Sequence, residues 1–290
     1  MRYKVVLPTG LLVASLLFSG CGQKEDTAAD AKPTPPAAAD KAGTAPASAP
    51  DFSAATKQYR SFAIEQCDLF VKETEKFTNA VKAGKLEEAK QLYAPARAYY
   101  ERIEPVAESL GDLDPNIDAR INDVDAAEWR GFHRIEKALW EDKTTAGQEG
   151  YADQLLKDAQ LLRAKIETID LDASLMVTGA VELLNEVSSS KVTGEEELYS
   201  HTDLYDFAAN VEGAEKIFEI LRPELAKKDA GLEKEIGERF AALKQELGAF
   251  KKGDGYVDYT ELNQDQIRKL SQNLDALAEP LSNMGKILGV

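Results

Sequence analysis

From Tyr59 onward, most of this chain repeats its apolar residues every three or four positions, and very little of it alternates. That spacing is the period of an α-helix, and a chain that keeps it almost to its C-terminus can bury its apolar stripes only by packing helix on helix. Tyr59, Phe62, Leu69, Phe70, Phe77 and Val81 mark a first helix that Gly84 can end. Residues 86–110 read as a second, with Pro95 and Pro105 inside it, each expected to bend the helix or free a carbonyl. A loop rich in Asp, from Gly111 to Asp118, leads to a third helix over 126–140. Further helices fit 151–168, 172–190, 202–228 (bent near Pro223), 229–250 and 263–288. Only Tyr256 to Tyr259, after the turn Gly253-Asp254-Gly255, alternates as a strand does. About eight helices with short connectors predict an all-α fold of two packed up-and-down bundles, with a boundary near residue 170.

The first 50 residues follow another logic. Arg2 and Lys4 precede an apolar run from Leu11 to Phe18 that is too short to span a bilayer, and small Ser19 and Gly20 precede Cys21. Residues 1–20 therefore read as a signal peptide. Leu17 to Cys21 resembles a bacterial lipobox, with Phe18 where that pattern usually has leucine, so Cys21 is the expected lipidation site and ordinary secretion is the alternative. Lipid chains contribute about 0.8 kcal/mol per buried methylene, enough for a multiply acylated cysteine to hold a soluble domain at a membrane. Residues 22–50 carry Pro33, Pro35, Pro36, Pro46 and Pro50, many alanines and no large apolar residue, so they read as a tether with too little apolar surface to fold. The folded domain is expected over 51–290, outside the cytoplasm.

Charge narrows the partners. The chain has 35 basic and 51 acidic residues. Its first 50 residues hold five and four of these, which leaves 30 and 47 in the remainder, a net charge of −17. Such a domain disfavours nucleic acid and anionic membrane surfaces and is compatible with cations. With Cys21 lipidated, Cys67 has no partner for an intrachain disulfide and reads as a small buried apolar group.

Chemistry concentrates on the third helix. At helical spacing Trp129, Phe132, His133, Glu136, Leu139 and Trp140 share one face, while Arg130, Arg134 and Glu141 share the other. His133 and Glu136 thus fall among large apolar side chains, where a carboxylate must be protonated, paired or metal-bound. Their i, i+3 spacing lets both converge on one point, and imidazole with carboxylate suits iron, manganese or zinc. A buried His–Glu hydrogen bond, or a salt bridge from Glu136 to a neighbouring helix, explains the pair equally well. Glu101 and Glu104 form a second i, i+3 pair, Glu104 at the apolar face and Glu101 nearer the polar side, where Arg97 competes for it. Asp118 is a fifth candidate ligand. The other histidine, His201, sits beside Ser200 and Thr202, either of which can cap the helix that follows, with Asp203 favouring its positive end. The functional alternative is a polar cluster of His201, Asp203 and Asp206 facing a cleft.

Several enzyme classes lack their parts. The chain has no His-Glu-x-x-His, Gly-x-Ser-x-Gly, phosphate loop or dinucleotide fingerprint, and its two histidines exclude a three-histidine zinc site.

Three segments, Tyr100 to Glu108, Gly131-Phe132-His133-Arg134-Ile135-Glu136 and Tyr199 to Gly213, occur in an order that resembles the imelysin-like family, particularly its EfeM/EfeO branch. The second matches the family's Gly-x-His-x-x-Glu signature. The resemblance implies two helical bundles and a metal site at His133 and Glu136, with contributions from Glu101, Glu104 and Asp118. It also implies a role in extracytoplasmic iron acquisition beside a haem-type peroxidase and a membrane iron permease. Some members carry an N-terminal cupredoxin domain where this chain has its tether. Three readings follow: a lipoprotein that captures iron, with zinc or copper as other ions, and hands it to a permease; a metallopeptidase, as the imelysin name suggests; and an alginate-type polysaccharide binder. The first is preferred, because a carrier without its own membrane helix gains from being tethered near a transporter. No catalytic residue is assigned.

Overall fold

The computed structural model describes residues 50–290; Cys21, the signal peptide and nearly all of the tether lie outside the described residues. The described chain is all-α apart from one two-stranded ribbon. Helix α1 (Ser53–Lys82) buries Tyr59, Ala63, Cys67, Phe70, Phe77 and Val81 along one stripe. It stops where Gly84 takes a φ of 73° and the amides of Ala83 and Lys85 bond back to Asn79 and Ala80. Helix α2 (Leu86–Glu101) runs through Pro95.

The single helix expected over 86–110 does not form. Chain turns at Arg102 and Ile103 separate α2 from α3 (Glu104–Ala107), a one-turn helix that places Pro105 in its first turn, where no amide hydrogen is needed. A second short helix, α4 (Leu113–Asp118), forms within the Asp-rich loop. These two account for ten α-helices among the described residues rather than about eight. The expected 126–140 helix is also shorter: α5 spans Phe132–Trp140, because Gly131 with φ 90° breaks the backbone ahead of it. Trp129 therefore lies outside the helix and donates its indole N–H to Ala119 O at 2.8 Å.

The longer elements follow as α6 (Glu149–Ile166), α7 (Ala173–Ser189), α8 (Asp203–Lys228, through Pro223), α9 (Ala230–Gly248) and α10 (Gln264–Leu288). Strand β1 (Lys251–Lys252) pairs antiparallel with β2 (Gly255–Tyr256), so pairing begins at the turn and leaves out Asp258 and Tyr259. Helix α1 packs along α2 and α6, and α5 closes on α2; α7 packs along α8 and α10, and α9 along the same two. Crossings of α2 with α8 and of α3 with α7 join the groups around one hydrophobic core. At the second crossing Gly179 lies directly against the carbonyl of Pro105: a Cβ there would stand 1.7 Å from its oxygen. The break between α2 and α3 is thus pressed into the interior, which carries Glu101 and Glu104 inward with it. No described helix is long and apolar enough to cross a membrane.

Candidate metal centre

Helices α2 to α5, the segment 191–200 and the start of α8 bring their polar residues to one buried place. Gly131 makes part of this possible. A Cβ at Gly131 would lie 2.2 Å from Ile117 O, so only glycine lets the end of α4 sit against the start of α5 and set Asp118 beside His133.

His133 is 2% exposed, and its two ring nitrogens have different surroundings. Nδ1 lies 3.1 Å from Glu136 Oε2 and 3.4 Å from the Tyr93 hydroxyl. Glu136 Oε1 accepts the backbone amides of Tyr199 at 2.9 Å and Ser200 at 2.7 Å, so both of its oxygens are used. Nε2 makes no hydrogen bond and lies 3.5 Å from Asp118 Oδ1 and 3.8 Å from Glu196 Oε1. These three side chains can each direct one ligand atom to a common point. His133, Glu136 and Glu197 form a second such group.

Arg97 organises the acids. Its guanidinium pairs with Asp118, with Glu101 at 2.5 Å and with Glu197 at 2.6 Å, and lies 3.6 Å from Asp206. Glu101 is fully buried rather than turned to the polar side, because Lys191 and Asn210, carried by the segment after α7 and by α8, cover that side. Glu196 also accepts from Arg120 at 2.9 Å. Asp203 Oδ1 accepts the amide of Glu197 at 3.2 Å, and neither oxygen of Asp206 has a hydrogen-bond partner. Both aspartates join this interior cluster, whereas His201 is half-buried in a left-handed turn of φ 57° and belongs to none of the convergent groups. The cap expected from Ser200 or Thr202 is not made: Ser200 Oγ instead donates to Glu197 at 2.8 Å.

Eight carboxyl groups (Glu101, Glu104, Asp118, Glu136, Glu196, Glu197, Asp203, Asp206) thus face the fixed cations Arg97, Lys191 and Arg120. Fully ionised, they would leave five negative charges uncompensated away from water, which protons or a bound cation must balance. Burial opposes ionisation of Asp118, yet Arg97 and His133 hold it far below the usual carboxylate range. Burial likewise opposes Glu196, and Lys191 with His133 brings it down to about 2. Burial and then the charge of Glu136 push Glu197 up to about 8, and burial raises Asp206 well above its ordinary value. Burial and Arg97 disfavour a charged His133, but Asp118, Glu136 and Glu196 outweigh them and raise it. Asp118 and Glu196, beside His133 Nε2, are thus held toward the ionised form that a cation needs, while burial favours the protonated form of Glu197 and Asp206.

The cluster is reachable. A cavity of about 310 Å³ runs to His133, Glu136 and Glu196, with Ile121 and Leu198 exposed along its lining. A second cavity, of about 230 Å³, is lined by Glu104, Asp118 and Glu196, and Arg120, Asp123 and Glu196 line both. Imidazole with carboxylates suits borderline and hard ions such as iron, manganese and zinc. Cys67 takes no part: burial pushes its thiol up to about 12, as for an inert core residue.

Sequence reasoning missed Lys191, Glu196, Glu197 and Asn210. Of the three successive glutamates Glu195-Glu196-Glu197 only Glu195 is exposed; Glu196 is 2% exposed and Glu197 is fully buried. Asn210 lies within Tyr199 to Gly213, so the segment was marked but the residue was not.

The imelysin family profile matches residues 55–284. An EfeM/EfeO family lipoprotein of Staphylococcus haemolyticus strain JCSC1435 is 46% identical over 286 residues, covering 97% of this chain and 98% of the relative. Another EfeM/EfeO family lipoprotein, from Staphylococcus aureus strain NCTC 8325, is 47% identical over 243 residues, covering 82% of this chain and 86% of the relative. Similarity of that extent, carried across both helical groups and every segment of the acidic centre, makes this chain a member of the imelysin family in its EfeM/EfeO branch.

Proposed function

We propose that the protein captures a metal ion, iron foremost, at the cell envelope and releases it to a membrane permease. The observation that carries this reading is the unpartnered Nε2 of buried His133, grouped with Asp118 and Glu196 where two cavities meet the cluster, one lined by His133 and Glu196 and the other by Asp118 and Glu196. His133, Asp118 and Glu196 hold the ion, and the remaining cavity space holds its waters. Glu136 orients the imidazole. An ion bordered by cavities on this cluster can exchange, which suits a carrier better than a closed structural site.

The anchor at Cys21 supports the same reading, since tethering raises the carrier's local concentration near a transporter. A haem-type peroxidase working beside the permease fits a system in which the ion changes oxidation state before transport. Zinc and copper are the other ions the donor set accommodates.

Titration of the purified chain with Fe²⁺ under anaerobic conditions, beside a His133→Ala/Glu196→Gln variant, tests this reading. Saturable binding by the parent that the variant loses supports it. Equal, weak binding by both sinks it. Metal-dependent cleavage of peptides by the parent chain would shift the assignment to a metallopeptidase.

A further inference from the structure

Lys191 is the residue of the centre that neither spacing nor burial pattern explains. It opens the 3₁₀ turn Lys191–Thr193 after α7, and its residue is 1% exposed. An ammonium this far from water is tolerated only when fixed acceptors surround it. Its Nζ lies 2.9 and 3.0 Å from the two oxygens of Glu104, 3.3 Å from Glu101 Oε2 and 3.6 Å from Glu196 Oε1. Three carboxylates around one positive centre is the arrangement a bound metal ion would have. The turn is pinned where it needs to be, since the Tyr259 hydroxyl donates to Val192 O at 2.6 Å.

The rest of the Glu101–Glu104 pair is also filled from within the protein. Asn210 Nδ2 donates to Glu101 Oε2 at 3.0 Å and to Glu104 Oε2 at 2.7 Å, and Arg97 takes Glu101 Oε1 at 2.5 Å. Every oxygen of this pair therefore meets an N–H donor, whereas His133 Nε2 meets none. Glu196 stands between the two halves, with Oε1 3.6 Å from Lys191 Nζ and 3.8 Å from His133 Nε2. In a centre with two metal ions a shared carboxylate would hold that place, with the ions roughly 3.5–4 Å apart.

We infer that Lys191 is a tethered cation standing in for a second metal ion on Glu101 and Glu104, so that the centre takes one ion, at Asp118, His133 and Glu196. The inference rests on the metal-binding reading above. It also assigns Lys191 a consequence for exchange: a fixed positive charge beside the shared Glu196 weakens that residue's hold on the incoming ion, as release requires.

Counting bound ions tests this. The full chain is dialysed to equilibrium against Mn²⁺ or Zn²⁺ and bound metal is measured by elemental analysis, for the parent, Lys191→Met, Lys191→Arg and Lys191→Met/Glu104→Gln. The expected ratios are one, two, one and one ion per chain. Lys191→Met leaves two carboxylates under-compensated, so it is also melted with and without metal; an apo variant that folds only on taking up two ions supports the inference. A Lys191→Met chain that still binds one ion with unchanged affinity, or that metal fails to restore, overturns it, as does a parent that already binds two. A parent that binds none removes the metal reading itself, a different result from any of these.

Discussion

Glu136 Oε2 lies 3.1 Å from His133 Nδ1, and this contact turns the opposite nitrogen, Nε2, toward Asp118 and Glu196. An imidazole that donates from Nδ1 keeps its Nε2 lone pair for a metal, so Glu136 fixes both the tautomer and the ring plane. Glu136 is itself held by two backbone amides from the segment that also carries Glu196. Under the proposed function, the His-x-x-Glu spacing supplies one ligand and its orienting partner.

Replacing Glu136 with Gln should weaken metal binding about 10–100-fold without unfolding the protein, because the amide oxygen can still accept from Tyr199 and Ser200. His133→Ala should cost more. Metal titrations of both variants, with circular dichroism as the folding control, give the comparison. An unchanged affinity in Glu136→Gln would remove its orienting role.

Neighbouring glutamates should differ sharply. Glu196→Gln should lower metal affinity at least about tenfold, whereas Glu195→Gln, on an exposed side chain at the cavity, should change it less than about twofold. If the two variants bind alike, attraction by general negative charge explains the binding and a defined ligand does not.

Acid–base behaviour follows from the raised groups. The folded pKa of His133 lies above its ordinary 6.5, so its stabilising charge is fully present below that value and lost as pH rises through the folded one. Glu197 acts in the same direction: the native state keeps a proton that the unfolded chain releases near 4.5, and stability falls as pH rises toward about 8. Asp118 and Glu196 are depressed, so their contribution is lost on acidification below the ordinary carboxylate range. The metal-free protein should be most stable near pH 5 and lose on the order of a few kcal/mol by pH 9. Metal affinity should rise about tenfold or more from pH 6 to pH 8, since the ion displaces a proton from His133. Denaturant melts and titrations across that range check both slopes.

Gly179→Ala tests the packing that carries the acids inward. The new Cβ would collide with Pro105 O, and forcing α3 away from α7 should cost about 3 kcal/mol. Urea unfolding measures it; a change below about 0.5 kcal/mol would mean that the crossing is loose.

The long helices were legible because each buries a continuous stripe at helical period, as α1 and α10 do. Helices α3 and α4 were not, since one turn carries no period and Pro105 marks a first turn as readily as a kink. Within the centre, Glu101, Glu104, Asp118, His133 and Glu136 stood out by spacing or resemblance, and the fold gathers all five in one buried cluster. Lys191 and Glu196 gave no such sign. Their burial depends on a connector folding back between α7 and α8, and a connector has no periodicity to show which of three successive glutamates turns inward. Trp129 was misplaced for a related reason: its apolar spacing runs on from α5, but Gly131 breaks the helix before reaching it.

The central claim is that His133 Nε2, Asp118 and Glu196 together hold the ion. A crystal of the chain grown with Zn²⁺ or Mn²⁺, with data collected at the metal's absorption edge, locates it directly. The expected result is a single anomalous peak about 2.0–2.3 Å from His133 Nε2 and from oxygens of Asp118 and Glu196, with Glu136 still bonded to Nδ1. A peak among Glu104, Glu108 and Glu186 instead, or none within bonding distance of His133, would contradict the account.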